Sequence, residues 1–125
     1  MTNEVLLYIG SSVSIAWGLA HLAPTKSVVK GFGEISADNR RIITMEWLVE
    51  GFTLIFIGLL VLLITALHDY SNAISLLVYR VSGGMLIAMA ALTALTGART
   101  KIIPIKICPL VKLSVAVLFI LGSVL

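Results

Sequence analysis

Four long apolar segments limit what this chain can fold into more than any other feature of the sequence. Each approaches the roughly 20 residues that a helix needs to cross about 30 Å of hydrocarbon. The segments lack the alternation of apolar and polar residues that marks membrane strands, and an open strand leaves its backbone unsatisfied in lipid. The sequence therefore predicts four transmembrane helices, at approximately residues 5–22, 37–67, 72–96 and 107–125.

The composition points to the same environment. Hydrophobic residues make up 59% of the chain and charged residues only 12%, whereas a soluble domain carries about 25% charged residues. We therefore expect an all-α membrane protein with the lipid bilayer as its solvent, multi-pass in the cell membrane. Residues 1–125 are expected to form a single domain, a four-transmembrane-helix bundle with both termini on the same side.

The basic residues predict an orientation. The apolar run of the second predicted helix begins at Ile42, and seven of the nine Lys and Arg residues lie between the apolar runs of the first and second or of the third and fourth helices, at positions 26, 30, 40, 41, 99, 101 and 106. Positive loops face the cytoplasm, so we expect the loop at residues 23–36 to be cytoplasmic and both termini to be extracytoplasmic. The sequence shows no basic aromatic surface of the kind that binds nucleic acid, and we expect no nucleic-acid partner.

Glu50 is the most informative polar residue within the apolar segments. It lies about 12 Å below the cytoplasmic boundary, at 1.5 Å per residue. A charge at that depth costs several kcal/mol, about 3 or more, unless it is paired or protonated. Arg80 enters about 10 Å from the opposite boundary, and we predict that these two residues face each other. One interpretation is a structural ion pair, and the other is a ligand-binding or proton-carrying site.

Glu46 lies one helical turn nearer the cytoplasm than Glu50. Two carboxylates at this spacing repel each other unless a proton or a cation lies between them, which favours acid–base chemistry or cation binding. The alternative is a hydrated interfacial Glu46 that pairs with Arg40 or Arg41.

His21 and Trp17, at the end of the first helix, are predicted to form the opposite wall of a cytoplasm-facing polar pocket. His21 is a candidate general base or metal ligand, although a histidine in the headgroup layer explains it equally well. The sequence contains no metal-binding, nucleotide-binding or dinucleotide-binding motif. We predict no metal site and no cofactor.

Small residues recur on two helices and predict close helix packing. Gly10, Ser14 and Gly18 form a stripe on the first helix, a pattern that lets helices approach each other in lipid. A second set on the third helix comprises Gly83, Gly84, Ala91 and Ala94. These faces predict a homo-oligomer. In size and helix number the chain resembles several families of small four-helix membrane proteins, including the DoxX-like group, and this resemblance transfers no residue assignment.

Three functions agree with these features. The first is binding or transport of a small polar, cationic or amphipathic ligand, with Glu50 as the protonatable group and Arg80, Glu46, His21 and Trp17 around it. The second is an intramembrane enzyme that acts on a lipid-like substrate, with Glu46 and His21 as catalytic acid and base. The third is a structural accessory subunit, in which the polar residues only hold the helices together.

Overall fold

The computed structural model describes residues 2–125 and is all-helical over that range, so residue 1 of the predicted domain lies outside the described residues. Four helices are long and apolar enough to cross a membrane. The elements in chain order are α1 (Thr2–Leu22), α2 (Thr25–Lys30), α3 (Ala37–Leu67), α4 (Ala73–Leu95), a 3₁₀ turn (Gly97–Arg99) and α5 (Ile103–Val124).

Polar side chains explain where α3 and α4 begin. The Ser36 hydroxyl accepts a hydrogen bond from the Asn39 backbone N–H at 3.1 Å, so α3 starts well before its apolar stretch. The Asn72 side chain caps α4 in the same way, accepting from the Ile74 N–H at 2.9 Å. Such caps satisfy backbone N–H groups that have no partner within the helix.

The connection between α3 and α4 is closed by its own hydrogen bonds. The hydroxyl and the backbone N–H of Ser71 both donate to the Asp69 carboxylate, at 2.6 and 2.9 Å. The side-chain bond from Ser71, followed by the backbone bond, holds the pKa of Asp69 below its usual value. Asp69 therefore remains charged on the surface of this turn, since hydrogen bonds to the ionised form favour it.

The residues predicted as a loop at 23–36 contain the short helix α2. Its first turn begins after Pro24, and the Thr25 hydroxyl donates to the Leu22 carbonyl at the end of α1 at 2.6 Å. Val29 is buried, whereas the Lys26 and Lys30 positions are exposed. The connection therefore packs one apolar residue against the bundle and leaves its lysines outside.

The two chain termini lie at the same end of the bundle. The Asn3 side chain donates to the Gly122 carbonyl at 3.1 Å, which joins the start of α1 to the end of α5. We call this the terminal end, and we call the other the loop end, which carries residues 23–36 and 96–102.

The helices are not arranged as a simple sequential bundle. Helix α1 packs extensively against α3 and α5, and α5 packs against α4. Helices α3 and α4, although joined by a short turn, contact each other little. The spatial order is therefore α3, α1, α5, α4, and we call the loosely packed boundary between α3 and α4 the open seam.

The small residues of α1 are used inside the chain. A Cβ on Gly18 would lie 2.9 Å from the Gly51 carbonyl oxygen, and one on Gly10 would lie 2.8 Å from the Phe119 ring. The Ser14 hydroxyl donates across the α1–α3 boundary to the Leu54 carbonyl at 2.7 Å. We expected this stripe to mediate self-association, but it packs α1 against α3 and α5 within the chain. We call the boundary between α1 and α3 the closed seam.

The small residues of α4 are divided between two environments. Gly83 is buried against Ile120 of α5, whereas nothing lies within 4 Å of a Cβ placed on Gly84. Ala91 and Ala94 are exposed on the outer surface. Part of this set is therefore free of contacts within the described chain, and self-association through it stays a prediction.

Candidate functional site

A polar cluster inside the bundle takes one side chain from each of the four spanning helices. The Lys112 ammonium of α5 donates to Glu50 Oε1 of α3 and to Thr93 Oγ1 of α4, the latter at 2.8 Å. His21 of α1 places Nε2 at 3.5 Å from the other carboxylate oxygen of Glu50. Lys112 thus bonds one oxygen of Glu50 while His21 lies near the other, and the cluster links helices α3 and α4, which otherwise touch little.

Burial differs sharply across this cluster. The Lys112 side chain is 0% exposed and that of His21 is 8% exposed, whereas 30% of the Glu50 side chain remains accessible. A buried ammonium needs a charge partner, because an uncompensated charge in a low-dielectric interior is strongly unfavourable. The cluster therefore has a closed cationic side and an accessible acidic side.

The predicted pairing of Glu50 with Arg80 is wrong. The Arg80 guanidinium donates from Nε to the Ser123 hydroxyl at 3.2 Å and from Nη2 to the Ser123 carbonyl at 3.0 Å. Arg80 is exposed, and it reaches back toward the terminal end, where the last carbonyls of α5 attract a cation. The pair does not form because Lys112 occupies the side of Glu50 that faces the bundle interior.

Lys112 and Thr93 are the site residues that the sequence analysis missed, and a depth count could have found Lys112. Lys112 lies nine residues after Ile103, the first residue of α5, or about 14 Å from the loop end. That is close to the depth of about 12 Å counted for Glu50 along α3. Arg80 enters from the other boundary, and its depth in the bundle matches that of Glu50 less closely than the depth of Lys112 does. Thr93 had no comparable signal, because an isolated threonine in a helix usually bonds to its own backbone.

Trp47 fixes the position of His21. The two rings are stacked, with centroids 3.9 Å apart and planes inclined by 17°. The Trp47 indole donates to the His21 carbonyl at 2.8 Å, and His21 Nε2 lies 3.1 Å from the Trp47 carbonyl. The His21 side chain is therefore held within the bundle. Trp17 lies nearby, with its indole N–H directed at Cys108 Sγ at 3.3 Å.

Glu46 is exposed and lies apart from the cluster. The ion pairs of residues 2–125 include neither Glu46 with Arg40 nor Glu46 with Arg41; Arg41 instead lies 3.5 Å from Asp38. The interfacial pairing that was the alternative for Glu46 is therefore not formed among the described residues.

A cavity of about 780 Å³ lies along the open seam, and we call it the α3–α4 groove. Glu46, Glu50 and Thr53 line it from α3, and Met85, Met89 and other residues line it from α4. Residues of α2 and of the connection between α4 and α5 line it at the loop end. Its lining is mostly apolar, with carboxylates and hydroxyls as the polar groups.

A second cavity of about 490 Å³ lies on the other side of the cluster, and we call it the α1–α5 chamber. Trp17, His21 and Cys108 line it. The chamber and the groove meet at shared residues, namely Val28, Trp47, Glu50, Thr93, Ile102 and Ile105. The Glu50 carboxylate is thus the charged group at the boundary between the two cavities.

The predicted site residues are therefore brought together only in part. Glu50, His21 and Trp17 surround one region of the bundle, whereas Arg80 lies at the terminal end. Glu46 lines the groove and His21 lines the chamber, and no hydrogen bond or ion pair joins the two within the described chain. His21 contacts Glu50 instead, so an acid–base pair of Glu46 and His21 is not assembled.

Comparisons with protein-family models, with curated proteins and with solved structures found no match for this chain. The chemistry of the site must therefore be argued from its own residues. Residues 2–125 contain no group of three or more His, Cys, Asp or Glu side chains arranged to hold a metal ion. The groups present can exchange a proton, pair with a cation or hold the helices in register.

Proposed function

We propose that the protein binds a small polar, cationic or amphipathic ligand in the α3–α4 groove and transports it, with Glu50 as the protonatable group. Glu46 lines the same groove, and His21 and Trp17 contribute from the chamber behind Glu50. Arg80, expected to share this site, has no part in the proposal, because it is bonded to Ser123.

One observation carries the proposal: the central ion pair is closed on the lysine side and open on the glutamate side. Lys112 is fully buried, whereas Glu50 is 30% exposed and lines a cavity of about 780 Å³. A pair that served only to hold helices together has no need of a cavity beside its acid. Ionisable groups inside membrane spans that face a cavity commonly mark ligand or proton pathways.

The proposed orientation follows from the charges of the connections between helices. The loop end carries the basic connections, so we place it in the cytoplasm of a cell membrane and both termini outside. The groove then opens toward the cytoplasmic half of the bilayer. A chain of 125 residues is small for a transporter, and we propose that it acts as a homo-oligomer through exposed surfaces such as that around Gly84.

The test is to measure charge movement in proteoliposomes adsorbed on a solid-supported membrane after a rapid pH jump. If Glu50 exchanges a proton with water in the groove, the unsubstituted protein gives a transient current. Glu50→Gln removes that current, whereas Glu34→Gln, an exposed acid at the same end that does not line the groove, retains it. Near-ultraviolet circular dichroism of the stacked His21–Trp47 pair reports whether each variant is folded.

If Glu50→Gln does not fold, the double variant Glu50→Gln/Lys112→Met replaces it, because removing both charges leaves no unpaired ammonium. A folded variant without the current supports the proposal. The proposal is overturned if the unsubstituted protein gives no transient, or if the transient persists unchanged after Glu50 is neutralised.

A structural role is the second candidate, and a specific observation favours it. Every buried side-chain nitrogen and oxygen in residues 2–125 has a hydrogen-bond partner, including Lys112 with its two acceptors. Such complete pairing is what a cluster that fixes helix register requires. This candidate predicts no pH-jump current and full stability for an apolar replacement of the pair. An enzyme that uses Glu46 and His21 has no comparable support, because the two residues lie on different cavities.

A further inference from the structure

The α3–α4 groove opens sideways, toward the hydrocarbon of the bilayer. Val49 of α3 and Met85 and Leu92 of α4 line it, and all three are among the exposed apolar residues of the bundle. Helices α3 and α4 make few contacts along this boundary. A ligand dissolved in the membrane can therefore reach Glu50 between these helices without first entering water.

The charges of the groove are of one sign. Two carboxylates line it, together with threonine hydroxyls, and its lining residues include no Lys or Arg. Lys112 neutralises Glu50 from behind and is itself fully buried. No ion pair among residues 2–125 involves Glu46, so the groove has an unpaired carboxylate beside its apolar walls.

We infer that the groove takes a single-chain amphiphile with a cationic ammonium headgroup, which enters from the bilayer through the open seam. The ammonium lies beside Glu46, within one helical turn, or roughly 6 Å, of Glu50. The apolar chain lies against Met85, Met89 and Leu92. This inference deepens the proposed function and rests on it: it names the class of ligand and its route.

Charge complementarity selects this occupant over other amphiphiles. An anionic headgroup would be repelled by Glu46 and would have to displace Glu50 from Lys112. An uncharged amphiphile can fill the apolar part of the groove but gains nothing from Glu46. An ammonium gains the interaction with Glu46, which is strengthened at the edge of a low-dielectric region.

Binding can be measured through Trp47, which lines the groove. The chain has two tryptophans, so a Trp17→Phe background leaves Trp47 as the only reporter. The probes are three amphiphiles with a nitroxide in the headgroup, which quenches tryptophan fluorescence at short range: dodecyldimethylammonio-TEMPO, uncharged dodecanamido-TEMPO and anionic TEMPO dodecyl phosphate. The protein is held in phosphatidylcholine nanodiscs.

Quenching of Trp47 fluorescence is expected to saturate as the concentration of the cationic probe rises. The other two probes are expected to give only the linear quenching of molecules dissolved in the bilayer. Glu46→Gln is expected to lower the affinity for the cationic probe by about tenfold. That change corresponds to one favourable charge contact of about 1.4 kcal/mol. Glu34→Gln removes an equal charge at the same end, away from the groove, and leaves the affinity unchanged.

The inference is overturned if the cationic probe quenches no differently from the uncharged one, or if Glu46→Gln leaves its saturation unaltered. It is also overturned if the anionic probe binds more tightly. These outcomes are separable from the proposed function. A Glu50-dependent pH-jump current without selective quenching leaves the function standing and removes this ligand class. Selective quenching without the current shows a cation-binding groove and removes Glu50 as the protonatable group.

Discussion

Helix α3 has two faces that are built differently, and the contrast between them explains why the bundle has a groove. At the closed seam, backbone approaches backbone: a Cβ on Gly58 would lie 2.8 Å from the Ser11 carbonyl oxygen, and one on Gly18 would lie 2.9 Å from that of Gly51. At the open seam, Glu50 and Thr53 face a cavity. The same helix therefore provides both a tight contact and a polar wall.

The difference shows what closes a helix boundary in lipid. Apolar side chains gain little by leaving lipid for one another, so helices associate where small residues allow close van der Waals packing or where polar groups meet. The closed seam has the small residues. The open seam has longer side chains, such as those of Met85 and Met89. Polar contacts cross it at the Lys112 cluster and at the 3.0 Å hydrogen bond between the Thr65 and Tyr79 hydroxyls. The groove therefore lies at the boundary where the two helix backbones do not approach each other closely.

The largest effect is expected from breaking the cluster that ties the open seam. Glu50→Leu leaves the buried Lys112 ammonium without its charge partner, which costs about 3–5 kcal/mol of the free energy of unfolding. The double variant Glu50→Leu/Lys112→Leu removes both charges and is expected to recover most of that loss, since an apolar replacement of a buried pair is often neutral. Denaturation with sodium dodecyl sulfate in mixed micelles measures both values.

The comparison between the single and double variants tests whether the unpaired Lys112 ammonium causes the loss of stability. If the double variant is as unstable as Glu50→Leu alone, the unpaired Lys112 ammonium is not the source of the instability. A Thr93→Val variant serves as an additional check. It removes the second acceptor of Lys112 while keeping side-chain volume, and a smaller loss of about 1–2 kcal/mol is expected.

The closed seam is tested by adding volume where the backbones meet. Gly58→Val places a β-branched side chain 2.8 Å from the Ser11 carbonyl oxygen and 3.1 Å from the Ile15 nitrogen, so the helices must separate. We expect a loss of about 1–3 kcal/mol in the free energy of unfolding. Gly84→Val is the matched control, because a Cβ at Gly84 meets nothing within 4 Å. Equal losses in the two variants, measured by the same denaturation, would contradict the assignment of a tight closed seam.

Much of the fold could be predicted from the sequence, because segment length and hydropathy alone report what the bilayer demands. The sequence predicted an all-helical chain with four long apolar helices, and the structure confirms four helices long and apolar enough to cross a membrane among residues 2–125. The neighbours of each helix could not be read in the same way. The stripe of Gly10, Ser14 and Gly18 predicted a close contact but not its partner, which proved to be within the chain.

The candidate site shows the same limit. The depth of Glu50 correctly required a buried partner, because a charge there is costly. The choice of partner failed, since depth along a helix does not tell which face a residue takes or which helices are adjacent. Arg80 and Lys112 were both cations inside helices, and only the spatial order of α3, α1, α5 and α4 separates them. The pairing of Glu50 with Lys112 depends on which helices are neighbours, and a single sequence does not contain that information.

The smallest effect is expected at Arg80, and it tests directly whether interior and boundary cations differ. Arg80→Gln removes the charge near the last carbonyls of α5 and weakens its bonds to Ser123, at a cost of about 1 kcal/mol in the free energy of unfolding. In a double-mutant cycle, Arg80 and Glu50 should show a coupling energy below about 0.5 kcal/mol, as expected for separated sites. Lys112 and Glu50 should show several times that value. A strong coupling energy between Glu50 and Arg80 would contradict the structure, in which Lys112 and not Arg80 contacts Glu50. It would restore Arg80 as the partner of Glu50.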